Sequence, residues 1–281
     1  MQSLPHTAPG DQAAICAGVH EQGLALVPGL LSPQTSAEVC RWIDALVMEP
    51  GDDDGDSDST EYYNNLFNRD AKWLSLIDPP GMIEAVEQLL GEQCHLIGMT
   101  AWRTTPGMGE EPRQPDGSHQ LHADQLFFPV DEELLVTGRV HLSVLLMTLH
   151  YYLVDVDEDL APTWVVPGSH LSGCAPGGKR PAPGFPGTMS GSVADWRGQA
   201  PVPVVCTAGT GMLFRCELWH SGGYNATPDR SRYLLQVHYG TRAIAPRLPP
   251  HLEFRLDPRI VAAANPRQRR LLGGHQVTAY G

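Results

Sequence analysis

The 281-residue sequence predicts a mainly β domain, a sandwich or barrel supported by N-terminal helices. Three observations carry that expectation. Two helices are well marked before residue 93. From Cys94 onward the texture changes to short β-rich runs broken by Gly and Pro. No apolar run approaches the ~18–20 residues that a membrane span needs.

The first helix should follow Ser32 as N-cap, with Pro33 at N1, where its fixed φ suits the turn and its missing N–H is not needed. Val39, Trp42, Ile43 and Leu46 then recur at helical spacing. A second helix should follow Asp78 and Pro79, with Met82, Val86, Leu89 and Leu90 as its apolar stripe and Gly91 at its end. Between them lies "PGDDDGDSDSTE", residues 50–61. Fitted to a calcium loop, it puts Pro50 at the first ligand position and Ser57 where an apolar residue belongs. A solvated acidic loop is expected instead.

The β-rich runs are "CHLIGMTAWRTT", "HQLHADQLFF", "RVHLSVLLMTLHYYLVDV", "TWVV", "VPVVCT", "GMLFRCELWH" and "RYLLQVHYG". Residues 172–200 are rich in Gly and Pro and are expected to form a loop or lid, because structureless segments of that length are usually functional. The C-terminal 40 residues suggest irregular wrapping. The expected organisation is one domain over 1–281. It has helical support over 1–93, a β core over 94–240 and an extension over 241–281.

Net charge is −13, with 19 Lys plus Arg against 32 acids, which argues against a nucleic-acid partner. The six cysteines form no CxxC pair, and residues 1–16 lack the pattern of a signal peptide. A cytoplasmic protein with reduced thiols, no membrane segment and a small-molecule partner is expected.

The chemistry is concentrated in two places. In "SHQLHADQLFF", His122 and Asp124 sit two apart, on one face of a strand. Buried side by side they are costly unless something satisfies them. Downstream, "LWHSGGYNATPDRSRYLLQVHY" supplies His220, then Arg230 and Arg232 leading into a strand. Two histidines and one carboxylate are the facial triad of non-heme Fe(II) oxygenases. Activating dioxygen also needs an electron-donating co-substrate. A 2-oxo acid chelates the metal at one end and wants a cation at the other, and arginine offers a planar, permanently charged fork. The triplet His251-Leu252-Glu253 has the same HxE/D form but lacks this context.

Four stretches, "NLFNRDAKWLSLIDPPGMIEAVEQLLG", "HADQ", "LVDVDEDLAPTWVVPGSH" and "LWHSGGYNATPDRSRYLLQVHY", together resemble the phytanoyl-CoA dioxygenase family of Fe(II)/2-oxoglutarate oxygenases. The resemblance implies a double-stranded β-helix, a cupin-like jelly-roll barrel. It implies Fe(II) on His122, Asp124 and His220, with 2-oxoglutarate and O2 as co-substrates. Arg232, which precedes "YLLQVHY" in the family's register, is implied to hold 2-oxoglutarate, with Thr163 and Gln120 as further contacts. Where the family often has Asn-Gly, this chain has Leu160-Ala161-Pro162.

The implied activity is oxidation, above all hydroxylation, of an unactivated C–H of a small molecule such as a natural-product intermediate. Succinate and CO2 would be co-products. Desaturation, epoxidation or endoperoxide formation within the same family is the alternative, as is a non-catalytic cupin-like binding module. A halogenase would lack the carboxylate that Asp124 supplies. A zinc hydrolase would have no use for the arginine. Trp102, Trp164, Trp219, Tyr151 and Tyr152 are available to line a pocket or to fill the core, and His170 is not needed as a ligand.

Overall fold

Among the described residues, eleven strands form two antiparallel sheets in a jelly roll, with most of the helices in the N- and C-terminal parts of the chain. The computed structural model describes residues 4–53, 55, 60–126, 130–178, 188–244 and 254–275. In chain order the elements are α1 (Gln12–Gln22), β1 (Leu24–Val27), α2 (Pro33–Asp44), β2 (Glu61–Tyr63), α3 (Leu66–Arg69) and α4 (Ile83–Leu90). Next come β3 (His95–Thr104), β4 (His119–Ala123), α5 (Glu132–Val136), β5 (Leu146–Tyr152), β6 (Trp164–Val165) and β7 (Met189–Val193). The chain ends with β8 (Val202–Pro203), β9 (Thr210–Arg215), β10 (His220–Ser221), β11 (Arg232–Gly240), α6 (Pro258–Ala263) and α7 (Pro266–Leu271). No described helix is long and apolar enough to cross a membrane.

The larger sheet has the order β1-β9-β5-β11-β3-β2, and the smaller has β7-β4-β10-β6-β8. Side chains alternate between the two faces of a strand, so each strand of the larger sheet feeds two environments. Met99, Ala101, Leu149, Tyr151, Leu235, Val237 and Tyr239 join the main core with residues of α1, α2 and α4. The Tyr151 and Tyr239 hydroxyls donate to the Leu76 and Ile77 carbonyls at 2.8 and 2.9 Å, which satisfies both polar tips inside that core. The alternate residues turn the other way, into the cavity between the sheets.

The first expected helix is present, capped by the Ser32 side chain on the Thr35 N–H, with Pro33 in its first turn. The second ends at Gly91 as expected but begins only at Ile83. Gly81 has φ +84, a left-handed conformation that no α-helix can contain, so the turn after Pro79 is not yet helix.

Three expectations need correction. Residues 172–200 are not all loop, since Met189–Val193 form β7 along the edge of β4. Gly191 is accommodated there because a Cβ would meet the Pro176 carbonyl oxygen at 2.2 Å. The C-terminal segment is not irregular throughout, since α6 and α7 start at side-chain caps from Asp257 and Asn265, each followed by proline. Nor is the acidic loop wholly solvated. Asp52 is buried, binds Arg69 at 2.6 Å and accepts the Asn64 N–H at 2.7 Å. Residues 179–187, Phe127, Phe128 and His251-Leu252-Glu253 lie outside the described residues. So do Asp54 and Ser57 of the acidic stretch.

Candidate functional site

β4 and β10 are neighbours in the smaller sheet, and His122 pairs directly with His220 across them. Asp124 follows the last residue of β4, in a bend held by its own N–H donating to the Cys216 carbonyl at 2.9 Å. The bend brings the carboxylate back to the two rings. Asp124 Oδ1 lies 3.6 Å from His122 Nε2 and 3.7 Å from His220 Nε2. One ligand atom from each of the three side chains falls within a 4.8 Å span. His122, Asp124 and His220 are the three residues singled out from the sequence.

The electrostatics suit a cation. Burial, with His220 adding to it, pushes the His122 imidazole down to about 4, so the ring is neutral near pH 7 and its lone pair is free for a metal. The His220 Nδ1 lies 2.9 Å from the Leu218 carbonyl. A carbonyl can only accept, so Nδ1 carries the proton and Nε2 keeps its lone pair. Phe214 packs edge-on against the His220 ring, with centroids 4.9 Å apart, and fixes its plane. His122, Asp124 and His220 could hold a metal ion as one face of a coordination shell.

The same cavity, about 1050 Å³, is lined by Gln120, Thr163 and Arg232 as well as by the triad. Arg232 opens β11, is 5% exposed and donates from Nη1 to the Ala161 carbonyl. Its Nε has no partner among the described residues, and no described carboxylate pairs with it. Burial accordingly lowers its pKa. Arg230 lies outside the strand, exposed, and pairs with Asp157 at 2.8 Å. The two arginines thus differ as register suggests: Arg232 is inside and Arg230 outside.

Thr163 is 2% exposed and lines the cavity near the buried Tyr152, whose hydroxyl points to Met212 Sδ at 3.9 Å. Gln120 is exposed and accepts from Ser192 Oγ at 2.8 Å, which ties the rim of β4 to β7. Ala161 takes φ +45, the left-handed conformation in which the family's Asn-Gly would sit without strain. Asn225 is the residue that positions Arg232. Its side-chain amide donates to the Thr104 and Arg230 carbonyls at 2.9 and 2.7 Å, pinning the loop that leads into β11.

Other sequence candidates divide between cavity and core. Trp102 lines the cavity and stacks on Tyr62, with centroids 5.1 Å apart. Tyr151 is in the main core, while Trp164 and Trp219 form a small cluster with Leu121, Ala123 and Val166. His170 is buried against α1, with Nε2 3.1 Å from the His20 carbonyl, and takes no part in the triad. No disulfide joins any of the six cysteines among the described residues.

The comparisons with known proteins agree with this geometry. The family model for phytanoyl-CoA dioxygenase matches residues 19–233. A dioxygenase of Aspergillus fumigatus, af480, is 24% identical over 197 residues, covering 68% of this chain and 54% of the relative. The chain therefore spans about half the length of that protein. Among solved structures, the epimerase SnoN in complex with Fe3+, α-ketoglutarate and a nogalamycin has TM-score 0.61 at 21% identity, covering 89% of this chain and 93% of that one. HygX from Streptomyces hygroscopicus, with nickel, 2-oxoglutarate and hygromycin B bound, has TM-score 0.57 at 14% identity, covering 84% and 92%. These likenesses carry the fold, and the family match carries the class. The chain belongs to the phytanoyl-CoA dioxygenase family.

Proposed function

We propose that the chain oxidises, and in its default outcome hydroxylates, an unactivated C–H of a small molecule, with His122, Asp124 and His220 holding Fe(II) and Arg232 holding 2-oxoglutarate. The single observation that carries the reading is the buried Arg232 guanidinium, without a described counter-charge, in the same cavity as the two histidines and the aspartate. A buried cation is costly unless an anion meets it, and a dicarboxylate entering this cavity supplies one.

When bound, the iron supplies the activation of dioxygen, with 2-oxoglutarate converted to succinate and CO2. The protein's part is binding and orientation. Leu218 fixes the proton of His220 on Nδ1, and Asp124 supplies the anionic ligand that lowers the charge of the centre. Arg232 fixes the far carboxylate, while Thr163 and Tyr152 border it. Leu234, buried two residues beyond Arg232, adds an apolar side chain to that end of the cavity.

Solved neighbours are described as an epimerase and a carbocyclase as well as an antibiotic-bound enzyme, so one scaffold of this kind hosts different outcomes. The outcome here is therefore set by where a substrate carbon sits, and a natural-product intermediate is the class of substrate we infer. A cytoplasmic location fits the free cysteines. Incubation of the purified chain with Fe(II), ascorbate and 2-oxoglutarate tests the reading. Succinate should form in the wild type and not in Asp124→Ala. A wild type that binds iron and forms no succinate would point to the cupin-like binding module instead.

A further inference from the structure

The inner face of the larger sheet is a set of transverse rows, because β5, β11 and β3 pair in register. Tyr152, Leu234 and Trp102 share one row; His150, Gln236 and Thr100 the next; Thr148, His238 and Gly98 the third. Arg232 stands two residues before the first of these. The first row is mostly apolar. The next two are polar on a surface that in a closed barrel would be core.

Their side chains are held sideways. Thr100 donates to Gln236 Oε1 at 3.2 Å, the Gln236 amide nitrogen meets His150 Nε2 at 2.9 Å, and Thr148 Oγ1 meets His238 Nδ1 at 2.9 Å. All six positions line the cavity. His150 is 2% exposed, and its Nδ1 has no partner among the described residues. A buried polar row without full satisfaction costs stability, so its presence in a ligand cavity calls for a ligand that completes it.

Gly98 adds space. Its φ is ordinary, and a Cβ there would meet nothing nearer than His238 Cδ2 at 3.8 Å. Neither backbone conformation nor crowding requires a glycine in the middle of this strand. A β-bulge lies just beside it, where the pairing of β11 with β3 shifts after His238, and the missing side chain leaves room for a ligand there. The second polar row lies furthest from Arg232, since His238 is six residues beyond it, or roughly 20 Å along a strand, while His150 of the nearer row is within electrostatic reach of Arg232 and His220.

Charge narrows the class. Arg232 is the only lysine or arginine among the described residues lining the cavity, whereas Asp53, Glu110 and Glu111 stand along it. Once Arg232 meets 2-oxoglutarate, no lysine or arginine among the described lining residues is left for phosphate groups. We infer that the rows His150–Gln236–Thr100 and Thr148–His238–Gly98 are the substrate-recognition wall of this enzyme, and that they take a neutral or cationic ring compound dense in hydroxyl and carbonyl groups. Coenzyme A thioesters, with their phosphates, do not match this described lining. The inference rests on the 2-oxoglutarate reading above and adds the substrate class to it.

Calorimetry on the full chain loaded with nickel and 2-oxoglutarate tests it, with three probes. Daunorubicin is a hydroxylated polycyclic quinone with one amine, kanamycin is a cationic polyol, and palmitoyl-CoA is a phosphate-bearing thioester. At least one of the first two should bind, and palmitoyl-CoA should not. Gln236→Leu and Gly98→Leu should each weaken that binding about tenfold or more, with Gly98→Ala weakening it less. The affinity for 2-oxoglutarate in the same variants reports that the fold and the Arg232 end are intact. Binding of neither ring compound, binding of palmitoyl-CoA, or affinities indifferent to Gln236→Leu and Gly98→Leu would each overturn the inference. Failure of 2-oxoglutarate itself to bind the wild type would instead overturn the reading on which it rests.

Discussion

His122 and His220 are direct partners across the β4–β10 pair, with ring centroids 4.3 Å apart and planes at 58°. Opposed positions on adjacent antiparallel strands keep two side chains on the same face at close range. The metal face is thus set by strand register, and only Asp124, on its bend, depends on a loop.

Loss of either histidine leaves two ligands. His122→Ala and His220→Ala should each reduce bound iron severely, and the double variant should retain none above background, as read by metal analysis after purification. Cobalt or nickel should occupy the wild-type site readily, because both outrank Fe(II) in intrinsic affinity. Wild-type iron content in the double variant would remove the metal assignment.

Arg232 and Arg230 should separate cleanly. A charge-assisted hydrogen bond contributes about 1.5–3 kcal/mol, so loss of a two-pronged contact should weaken 2-oxoglutarate binding roughly a hundredfold or more. Arg232→Ala should raise the KM for 2-oxoglutarate by that factor and leave iron bound. Arg230→Ala removes an exposed pair with Asp157 and should change it little. The reverse order would mean that the grip belongs to Arg230.

Ala161 is strained by design of the turn and holds Arg232 through its carbonyl. Relief of the left-handed strain is worth about 1–2 kcal/mol. Removal of the buried methyl (about 0.8 kcal/mol) and added chain entropy (about 0.5–1 kcal/mol) offset it. Ala161→Gly should therefore lie within about 1 kcal/mol of wild type in urea denaturation. Ala161→Val adds β-branching to the same φ and should lose more than about 2 kcal/mol, with weaker 2-oxoglutarate binding. Equal stability of the two variants would contradict the strained turn.

Acid should destabilise the metal-free chain before its carboxylates titrate. Burial drives His170 down to about 3, and it lowers His150 as well. A histidine unfolded at about 6.5 and folded near 3 binds its proton first in the unfolded chain. Its contribution is complete above pH 6.5 and is lost as pH falls from there towards 3. At pH 5 the His170 ring should cost roughly 2 kcal/mol relative to pH 7, and His170→Gln should remove that share of the slope. Stability that rises on acidification through this window would contradict the burial of neutral imidazoles.

Legibility in the sequence followed local signals. β3 and β11 were readable because their runs are long and bounded by turns, and α2 because Ser32 and Pro33 mark its start. The clustering of His122, Asp124 and His220 and the inward place of Arg232 were readable because motif spacing and register are properties of the chain alone. β7 was hidden by its Gly-rich composition, since its pairing with β4 is a long-range fact. The helices α6 and α7 did carry signals, Asp257-Pro258 and Asn265-Pro266, which Arg- and Pro-rich surroundings masked. β1 and α1 escaped because α1 buries Ile15, Cys16, Gly18 and Val19 without a continuous apolar stripe. The polar wall was not readable at all. "MTLHYY" is buried on both faces, so nothing local says that Thr148 and His150 face a cavity while Leu149 and Tyr151 face helices.

One cavity joins His122, Asp124 and His220, which we propose hold the metal, to Arg232, which we propose grips the far carboxylate. Crystals grown without oxygen in the presence of Fe(II) and 2-oxoglutarate, measured at the iron absorption edge, test it most directly. The anomalous peak should lie between the two imidazoles and the Asp124 carboxylate, with the far carboxylate of 2-oxoglutarate on the Arg232 guanidinium. An iron peak away from these three residues, or a 2-oxoglutarate carboxylate that leaves Arg232 unpaired, would contradict it.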